Sequence, residues 1–508
     1  MDINQLYDFF SNIVLDEQDQ SIAARILMEI NSRLSTMVSI GLGYLSLQRP
    51  ASTLSGGETQ RIHLTRLLGS NLTGSMYLLD EPSVGLHPRD TANLISALKK
   101  LRNLGNTVIL VEHEEEVIKH ADFLVDMGPE AGIMGGEVIF TGNYTDIETS
   151  PVNNSLTIDY LLGRKKIEVP SQRRVSRSFL KMEKVNLHNL KDVDVTIPLN
   201  CIVCVTGVSG SGKSSLIKGV LYPTLENAIQ NDLTEASTNF IQRLSGDIKR
   251  INKVEMIDQQ PIGKSSRSNP VTYVKAYDYI RDLFTSQPMS KLRGFKPKHF
   301  SFNVEGGRCE TCKGEGVTVV DMQFLADVTL VCEECKGMRF KNEVLDVKYK
   351  DKNIFDVLEM DIMEAVTFFE GNNEIINRIM PLYEIGLGYV RLGQSSSSLS
   401  GGEAQRVKLA SFLTKENKVA HTLFIFDEPT TGLHFEDVRK LLIAFNKLIE
   451  KGNSIIIVEH NMEVIKSSDY LIDIGPEGGA EGGEILYQGV PEGLLKVKKS
   501  HTAKYLKV

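Results

Sequence analysis

The run Gly207–Ser214, GVSGSGKS, has the residue types and spacing that hold a polyphosphate. Gly207, Gly210 and Gly212 let the backbone curl until successive N–H groups converge on an anion. Lys213 adds a point charge for the β- and γ-phosphates, and the Ser214 hydroxyl is placed for Mg²⁺; Ser211 and Ser215 belong to the same expected nucleotide contacts. Two further segments end four apolar residues on a pair of carboxylates: MYLL before Asp80–Glu81 and LFIF before Asp427–Glu428. Asp427 is expected to hold magnesium with Ser214, and Glu428 to polarise an attacking water. The strand-like runs VILVEH and IIIVEH end on His113 and His460, expected at the γ-phosphate. The catalytic set is therefore Lys213, Asp427, Glu428 and His460, with Asp80, Glu81 and His113 as counterparts, and ATP with Mg²⁺ as the ligand.

The pentapeptide LSGGE occurs twice, around Ser55-Gly56-Gly57 and Ser400-Gly401-Gly402, and both times Gln-Arg follows shortly after. A serine and two glycines at a helix start make a second anion site. This element is the signature of ABC-type ATPases, in which it caps the nucleotide of the opposite domain. Gln259, in EMIDQQPIG, is a candidate to link magnesium to an inserted region, with Gln260 nearly equal to it.

Between the phosphate loop and the second signature, Cys309, Cys312, Cys332 and Cys335 spell C-x2-C-x19-C-x2-C. Four thiolates at that spacing predict a closed, tetrahedral Zn²⁺ site that folds its surroundings and leaves no open coordination position. Cys201 and Cys204 share the CxxC spacing but sit on the strand entering the phosphate loop, where core packing is expected. Ahead of the zinc knuckles, Arg267, Lys291, Arg293, Lys296 and Lys298 are interleaved with Phe295, Phe300 and Phe302. These suit DNA phosphates; a solvated loop is the equal alternative for any one of them.

The elements that must position these groups are duplicated. IGLGYLSLQRPASTLSGGETQRIHL at Ile40 returns as IGLGYVRLGQSSSSLSGGEAQRVKL at Ile385, an offset of 345 residues. MYLLDEPSVGLHPRD at Met76 returns at Leu423, and VILVEHEEEVIKHADFLVDMGPE at Val108 returns at Ile455, both offset by 347. Aliphatic runs alternating with amphipathic stretches predict strands and helices of an α/β fold with a largely parallel sheet. The expected architecture is tandem ABC-type nucleotide-binding domains with an inserted zinc-binding, helical signature region. Expected divisions are 1–149, a first domain starting mid-repeat; 150–178, a polar, basic linker; 179–263, the phosphate-loop part; 264–398, the inserted module; and 399–508, signature to C-terminus. The formal net charge of −8 does not mark a nucleic-acid binder, so a DNA surface must be a local basic patch. No stretch approaches the roughly 20 apolar residues of a membrane span, and the acidic start is unlike a secretory signal, so a cytoplasmic location is expected.

Together, GVSGSGKSSL, DQQPIGKSSRSNPVTY, RGFKPKHFSFNVEGGRCETCKGEG, LGYVRLGQSSSSLSGGEAQRVKLA and FDEPTTGLHFEDVRKLL resemble the UvrA family of bacterial nucleotide excision repair, over the length of the chain. The resemblance implies a homodimeric ATPase that probes duplex DNA for lesions and loads UvrB. The family's first phosphate loop, UvrB-binding region and first zinc element have no counterpart in this sequence. One complete composite ATP site is therefore expected: Lys213, Ser214, Gln259, Asp427, Glu428 and His460, capped by Ser55-Gly56-Gly57. The alternatives are a DNA-binding remnant without turnover, a UvrA-like drug-resistance ATPase, and a transporter or translation-type tandem ABC protein. The Cys₄ insertion and the basic FSFN region speak against the last.

Overall fold

The computed structural model describes residues 1–51, 54, 56–69, 73–148, 154–263, 267–320, 322, 328–414 and 421–506. In chain order the strands are β1 (Met76–Asp80), β2 (Thr107–Val111), β3 (Leu124–Gly128), β4 (Glu137–Gly142), β5 (Phe179–Val185), β6 (Val193–Pro198), β7 (Ile202–Thr206) and β8 (Ala236–Thr238). They continue with β9 (Ile241–Gly246), β10 (Lys253–Ile257), β11 (Val317–Val320), β12 (Val328–Val331), β13 (Thr422–Asp427), β14 (Ser454–Val458), β15 (Tyr470–Gly475) and β16 (Glu484–Gly489). The chain divides into two units: Met1–Pro129, Glu137–Met256 and Val419–Val508 form one, Glu130–Gly136 and Ile257–Lys418 the other.

In the first unit a six-stranded sheet runs β10-β13-β14-β7-β15-β16, with β13, β14, β7 and β15 parallel. Strands β7 and β14 are buried at every position, as the unbroken runs IVCVT and SIIIV require of a sheet covered on both faces. A four-stranded antiparallel sheet, β6-β5-β9-β8, shares its core with the phosphate-loop strand through Leu180, Val195, Val205 and Leu244. The helix Phe435–Glu450 buries Val438, Leu441, Leu442, Phe445, Leu448 and Ile449, a spacing of three and four that makes one apolar stripe. The His434 side chain caps its start. Its counterpart Pro88–Asn103 starts on a capping His87 followed by Pro88, whose missing N–H is free of cost there.

The repeats differ in their sheets. β1 pairs with β2 and β3 with β4, the counterparts of β13-β14 and β15-β16, but among the described residues no strand joins β2 to β3. In the second repeat β7 fills that place. Side chains that β7 and its neighbours bury are accordingly open in the first repeat: Leu78 is 71% exposed where Ile425 is 0%, and Met127 62% where Ile474 is 0%. The segment read as a linker carries a helix, Leu156–Leu161, whose Ile158 packs on Phe140 and Ile147. Farther along, Arg173 pairs with Glu492 and Arg174 with Asp469.

The second unit holds the helices Ala276–Thr285, Asn373–Glu384 and Gly401–Thr414 and the antiparallel hairpin β11-β12. Among the described residues no helix is long and apolar enough to cross a membrane.

Candidate functional site

β7 delivers the chain into the phosphate loop, and the backbone there needs glycine. Gly207, Gly210 and Gly212 have φ of +136°, +75° and +113°, a region that side chains rarely enter. A methyl on Gly207 would sit 1.9 Å from the Ile474 carbonyl oxygen. Lys213 is buried, and its ammonium donates to the carbonyls of Gly207 and Val208, each at 2.9 Å. Burial lowers its pKa to about 8 against the opposing pull of Glu428, Asp90 and Asp427. Ser214 and Ser215 open the helical stretch Ser215–Leu221, which is wound as a π-helix. The Ser211 hydroxyl is buried with no partner among the described residues, 2.9 Å from a methyl built on Gly207.

Asp427 ends β13 and is paired with Lys218, one helical turn beyond Ser214. Glu428, next in the chain, has a φ of +45°, and Glu81 in the first repeat has +44°. A left-handed φ on a non-glycine residue costs about 1–3 kcal/mol and persists where the surrounding structure over-determines it. Burial, then the neighbouring Asp427 and Glu459, push the Glu428 carboxyl up to about 8; Glu81 is also raised, by burial first. The two repeats reach across to each other here. A methyl on Gly85 would lie 2.9 Å from the Glu428 carboxylate, and one on Gly432 2.8 Å from that of Glu81. Both carboxylates border a cavity of about 570 Å³ together with His113 and His460. His460 is buried with Nδ1 unpartnered among the described residues, and burial depresses its pKa well below the usual range, so the ring is neutral.

The first repeat also touches the phosphate loop. The Tyr44 ring lies where a side chain on Gly210 would be, 2.6 Å from such a methyl, and its hydroxyl donates to Glu58 at 2.6 Å. Glu58 belongs to the signature helix Gly56–Leu68, which starts at Gly56 and Gly57; Ser55 lies outside the described residues. In the second signature the Ser400 N–H donates to Glu403 at 2.7 Å and the Glu403 N–H to the Ser400 hydroxyl at 3.2 Å, a reciprocal cap. Gly401 and Gly402 start that helix. Gln259 lies in the same unit, its Cβ 3.1 Å from a methyl built on Gly401; Gln260 is exposed. Asp80 and His113 end β1 and follow β2, and His113 Nε2 is 3.7 Å from Glu81.

The four cysteines of the insert converge, with ligand sulfurs within 4.8 Å of one another. Cys309–Cys332 and Cys312–Cys335 separations of 3.9 and 3.6 Å are far beyond a disulfide. They match the edge of a tetrahedron with Zn–S bonds of about 2.3 Å. Each knuckle ends in Lys-Gly with both residues left-handed, Lys313–Gly314 and Lys336–Gly337, which turns the backbone back over the sulfurs. The Gly316 N–H donates to Cys312 Sγ at 3.2 Å.

The basic candidates separate into two groups. Arg267 pairs with Glu315 and Arg293 with Asp346. Lys291, Lys296 and Lys298 form no ion pair among the described residues and are at least partly exposed. Phe300 and Phe302 are core residues, buried against Phe284 and Tyr277, while Phe295 stacks on His299.

Sequence reasoning passed over Glu112 and Glu459, which precede the switch histidines. Glu459 accepts from the Thr430 and His460 N–H groups at 2.9 and 2.6 Å, and Glu112 from the Ser83 and His113 N–H groups at 2.9 and 3.2 Å. Each ties its repeat's Pro-x-x-Gly-Leu-His loop to its switch histidine. The repeated Glu-His pair in VEH was the available signal.

No family model matches the chain. Over its whole length it is 49% identical to UvrABC system protein A of Aquifex aeolicus and, likewise over its whole length, 50% identical to that of Clostridium tetani. It spans 54% and 53% of those proteins, about half the length of the curated relatives it matches. Among solved structures, UvrA2 from Deinococcus radiodurans superposes with a TM-score of 0.91 at 42% identity, covering 100% of this chain and 62% of that one. The ribosome-bound archaeal Pelota and ABCE1 model matches at 18% identity and a TM-score of 0.51, a likeness of fold alone, over 98% of this chain and 63% of that one.

Proposed function

We propose, for a chain that belongs to the UvrA family over the half of its relatives' length that it spans, that it binds and hydrolyses ATP at the Lys213–Glu428 site and couples turnover to duplex DNA carrying lesions. The observation that carries this reading is the burial of Lys213 and His460 beside Glu428, with Gly85 and Tyr44 of the first repeat brought against the same site. Lys213 would exchange its two carbonyl acceptors for phosphate oxygens. The orphaned Ser211 hydroxyl and the N–H groups of Gly210, Gly212 and Ser214 would take the remaining anionic oxygens. Mg²⁺ would be held by Ser214 and Asp427, which fits the carboxylate's present pairing with an ammonium group.

Glu428 would be the general base. Burial, with Asp427 and Glu459 beside it, pushes its carboxyl up to about 8, which makes it a stronger base than an ordinary carboxylate. Ser214 and Asp427 would hold the magnesium beside it, and the positive charge supplied there would favour the ionised Glu428 carboxylate that accepts the proton of an attacking water. His460, neutral and with Nδ1 unpartnered among the described residues, would donate or accept at the γ-phosphate. Gln259 and Ser400-Gly401-Gly402 belong to the expected nucleotide contacts, as do Asp80, Glu81 and His113 at the first repeat's half-site. Lys291, Lys296 and Lys298, joined by Arg267 and Arg293, would meet DNA phosphates, with Zn²⁺ in the Cys₄ site holding their unit together. A homodimer and a cytoplasmic setting complete the proposal; UvrB is a partner of the family, and no docking surface for it is proposed on this chain.

The experiment is ATP hydrolysis by the purified chain, with and without lesion-bearing duplex, beside Lys213→Ala. DNA-modulated phosphate release that vanishes in the variant is the expected result. Tight ATP binding retained by Lys213→Ala would sink the site assignment. Folded, zinc-loaded protein that binds duplex but releases no phosphate would favour the DNA-binding remnant instead.

A further inference from the structure

Two short helices close the two repeats, and they share a pattern: Ser155-x-Thr157-x-x-Tyr160 and Ser500-x-Thr502-x-x-Tyr505. In each, the serine caps its own helix, Ser155 accepting from Ile158 N–H at 2.9 Å and Ser500 from Ala503 N–H at 3.0 Å. Each threonine hydroxyl donates to the aspartate of its own repeat's penultimate strand, Thr157 to Asp126 at 2.9 Å and Thr502 to Asp473 at 3.3 Å.

Each threonine also meets the histidine that ends Gly-Leu-His in the other repeat. His87 Nε2 is 3.1 Å from Thr502 Oγ1, and His434 Nε2 is 3.3 Å from Thr157 Oγ1. The tautomer is decided locally. Nδ1 of His87 accepts the Arg89 N–H at 3.2 Å and Nδ1 of His434 accepts the Glu436 N–H at 3.3 Å, so Nε2 carries the proton. The chain of donation is thus histidine to threonine to aspartate, twice over. The tyrosines complete the grip, with Tyr505 edge-on to His87 at 6.0 Å and Tyr160 edge-on to His434 at 6.1 Å. Each held ring also packs edge-to-face with a switch histidine: His87 with His460 at 5.8 Å, His434 with His113 at 6.4 Å. Burial keeps His87 and His434 neutral, which removes charge repulsion from these histidine pairs.

We propose that these helices are reciprocal latches, each gripping the other repeat's Gly-Leu-His histidine, and that His87 and Thr502 are positioning residues that set the His460 ring for the γ-phosphate. Two sequence-distant copies of one arrangement make accidental packing a poor explanation. The ATP site would then be completed by a first-repeat histidine and by the C-terminal helix His501–Tyr505 together. The inference rests on the ATP-site reading given above.

The test uses fluorescent ATP and ADP analogues with magnesium on the full chain. His87→Ala and Thr502→Val should lower the preference for ATP over ADP by about tenfold, within the range exchanged by contacting residues of one network, and leave ADP affinity unchanged. Thr502→Ser, which keeps the hydroxyl, should restore the preference. His87→Ala combined with His460→Ala should be no worse than His460→Ala alone, since the two act in series. An intact ATP preference in His87→Ala and Thr502→Val, or additive losses, would overturn the latch. A second readout needs no nucleotide: in protein with ¹⁵N-labelled histidine, Thr502→Val should shift the His460 ring resonances and expose the His87 Nε2 proton to exchange. His460 resonances unmoved by Thr502→Val overturn the latch by themselves. Those shifts in Thr502→Val, together with wild-type protein that binds neither nucleotide, sink the ATPase reading alone.

Discussion

Glu428 carries two unfavourable features at once, a left-handed backbone and a buried carboxyl raised to about 8. Its proton is released near 4.5 in the unfolded chain and near 8 in the folded one, so stability is full below the first value and declines as pH rises through the second. Glu428→Gln removes that decline. Its melting temperature should exceed wild type by a few degrees at pH 7.5, on the scale expected of a relieved buried charge, and by much less at pH 5.5. Thermal unfolding at the two values checks this, and an equal gain at both would refute the titration argument. The window avoids Lys213, whose lowered pKa of about 8 has its effect above the range tested. For DNA, Lys296→Ala and Lys298→Ala should weaken binding equally for all duplex sequences and reduce the log–log salt slope by about 0.9 each. A slope unchanged by either places the phosphates elsewhere.

At the scale of elements, a zinc ion in the Cys₄ site would hold together what the hairpin β11-β12 cannot. Every residue of β12 is exposed, and Val319, Leu330 and Val331 are among the open apolar side chains, so the hairpin has little core of its own. A two-stranded hairpin without a buried face is marginal in water, and zinc binding supplies folding free energy to such a site. Zinc should therefore be present at one per chain by atomic emission, and Cys332→Ser should lose most of it. Under chelator, thiol titration should find Cys309, Cys312, Cys332 and Cys335 reactive in the native protein. Cys201 and Cys204, fully inside the sheet core, should react only after denaturation. Native protein whose Cys309 and Cys335 stay unreactive under chelator would show that the knuckles fold without metal.

At the scale of the whole molecule, duplication provides its own control. Leu78 and Ile425 hold equivalent strand positions, one open and one sealed, as do Val111 at 55% and Val458 at 1%. Val111→Thr should change stability by less than about 0.5 kcal/mol, while Val458→Thr should cost about 1–3 kcal/mol for a hydroxyl buried without a partner. Denaturant unfolding of both variants checks the comparison, and equal costs would mean that the first repeat's sheet face is covered in solution. Spacing alone made much of the protein legible: the GVSGSGKS loop, the two Asp-Glu pairs and each CxxC knuckle are patterns of residues close in the chain, and the duplication shows as the same patterns returning at a nearly constant offset. The buried runs around Cys201 and Ile455 likewise read directly as strands because both faces are apolar. Other features join residues hundreds of positions apart, and no local pattern encodes them. Glu428 against Gly85, Tyr44 against Gly210 and His87 against Thr502 exist because the two repeats fold into one unit, and only the packing of that unit brought them together. The aromatic residues beside the zinc knuckles show the converse: Phe300 and Phe302 alternate with lysines as a DNA-facing surface would, yet packing turned both rings into the core, where burying apolar area outweighs any contact they could make outside.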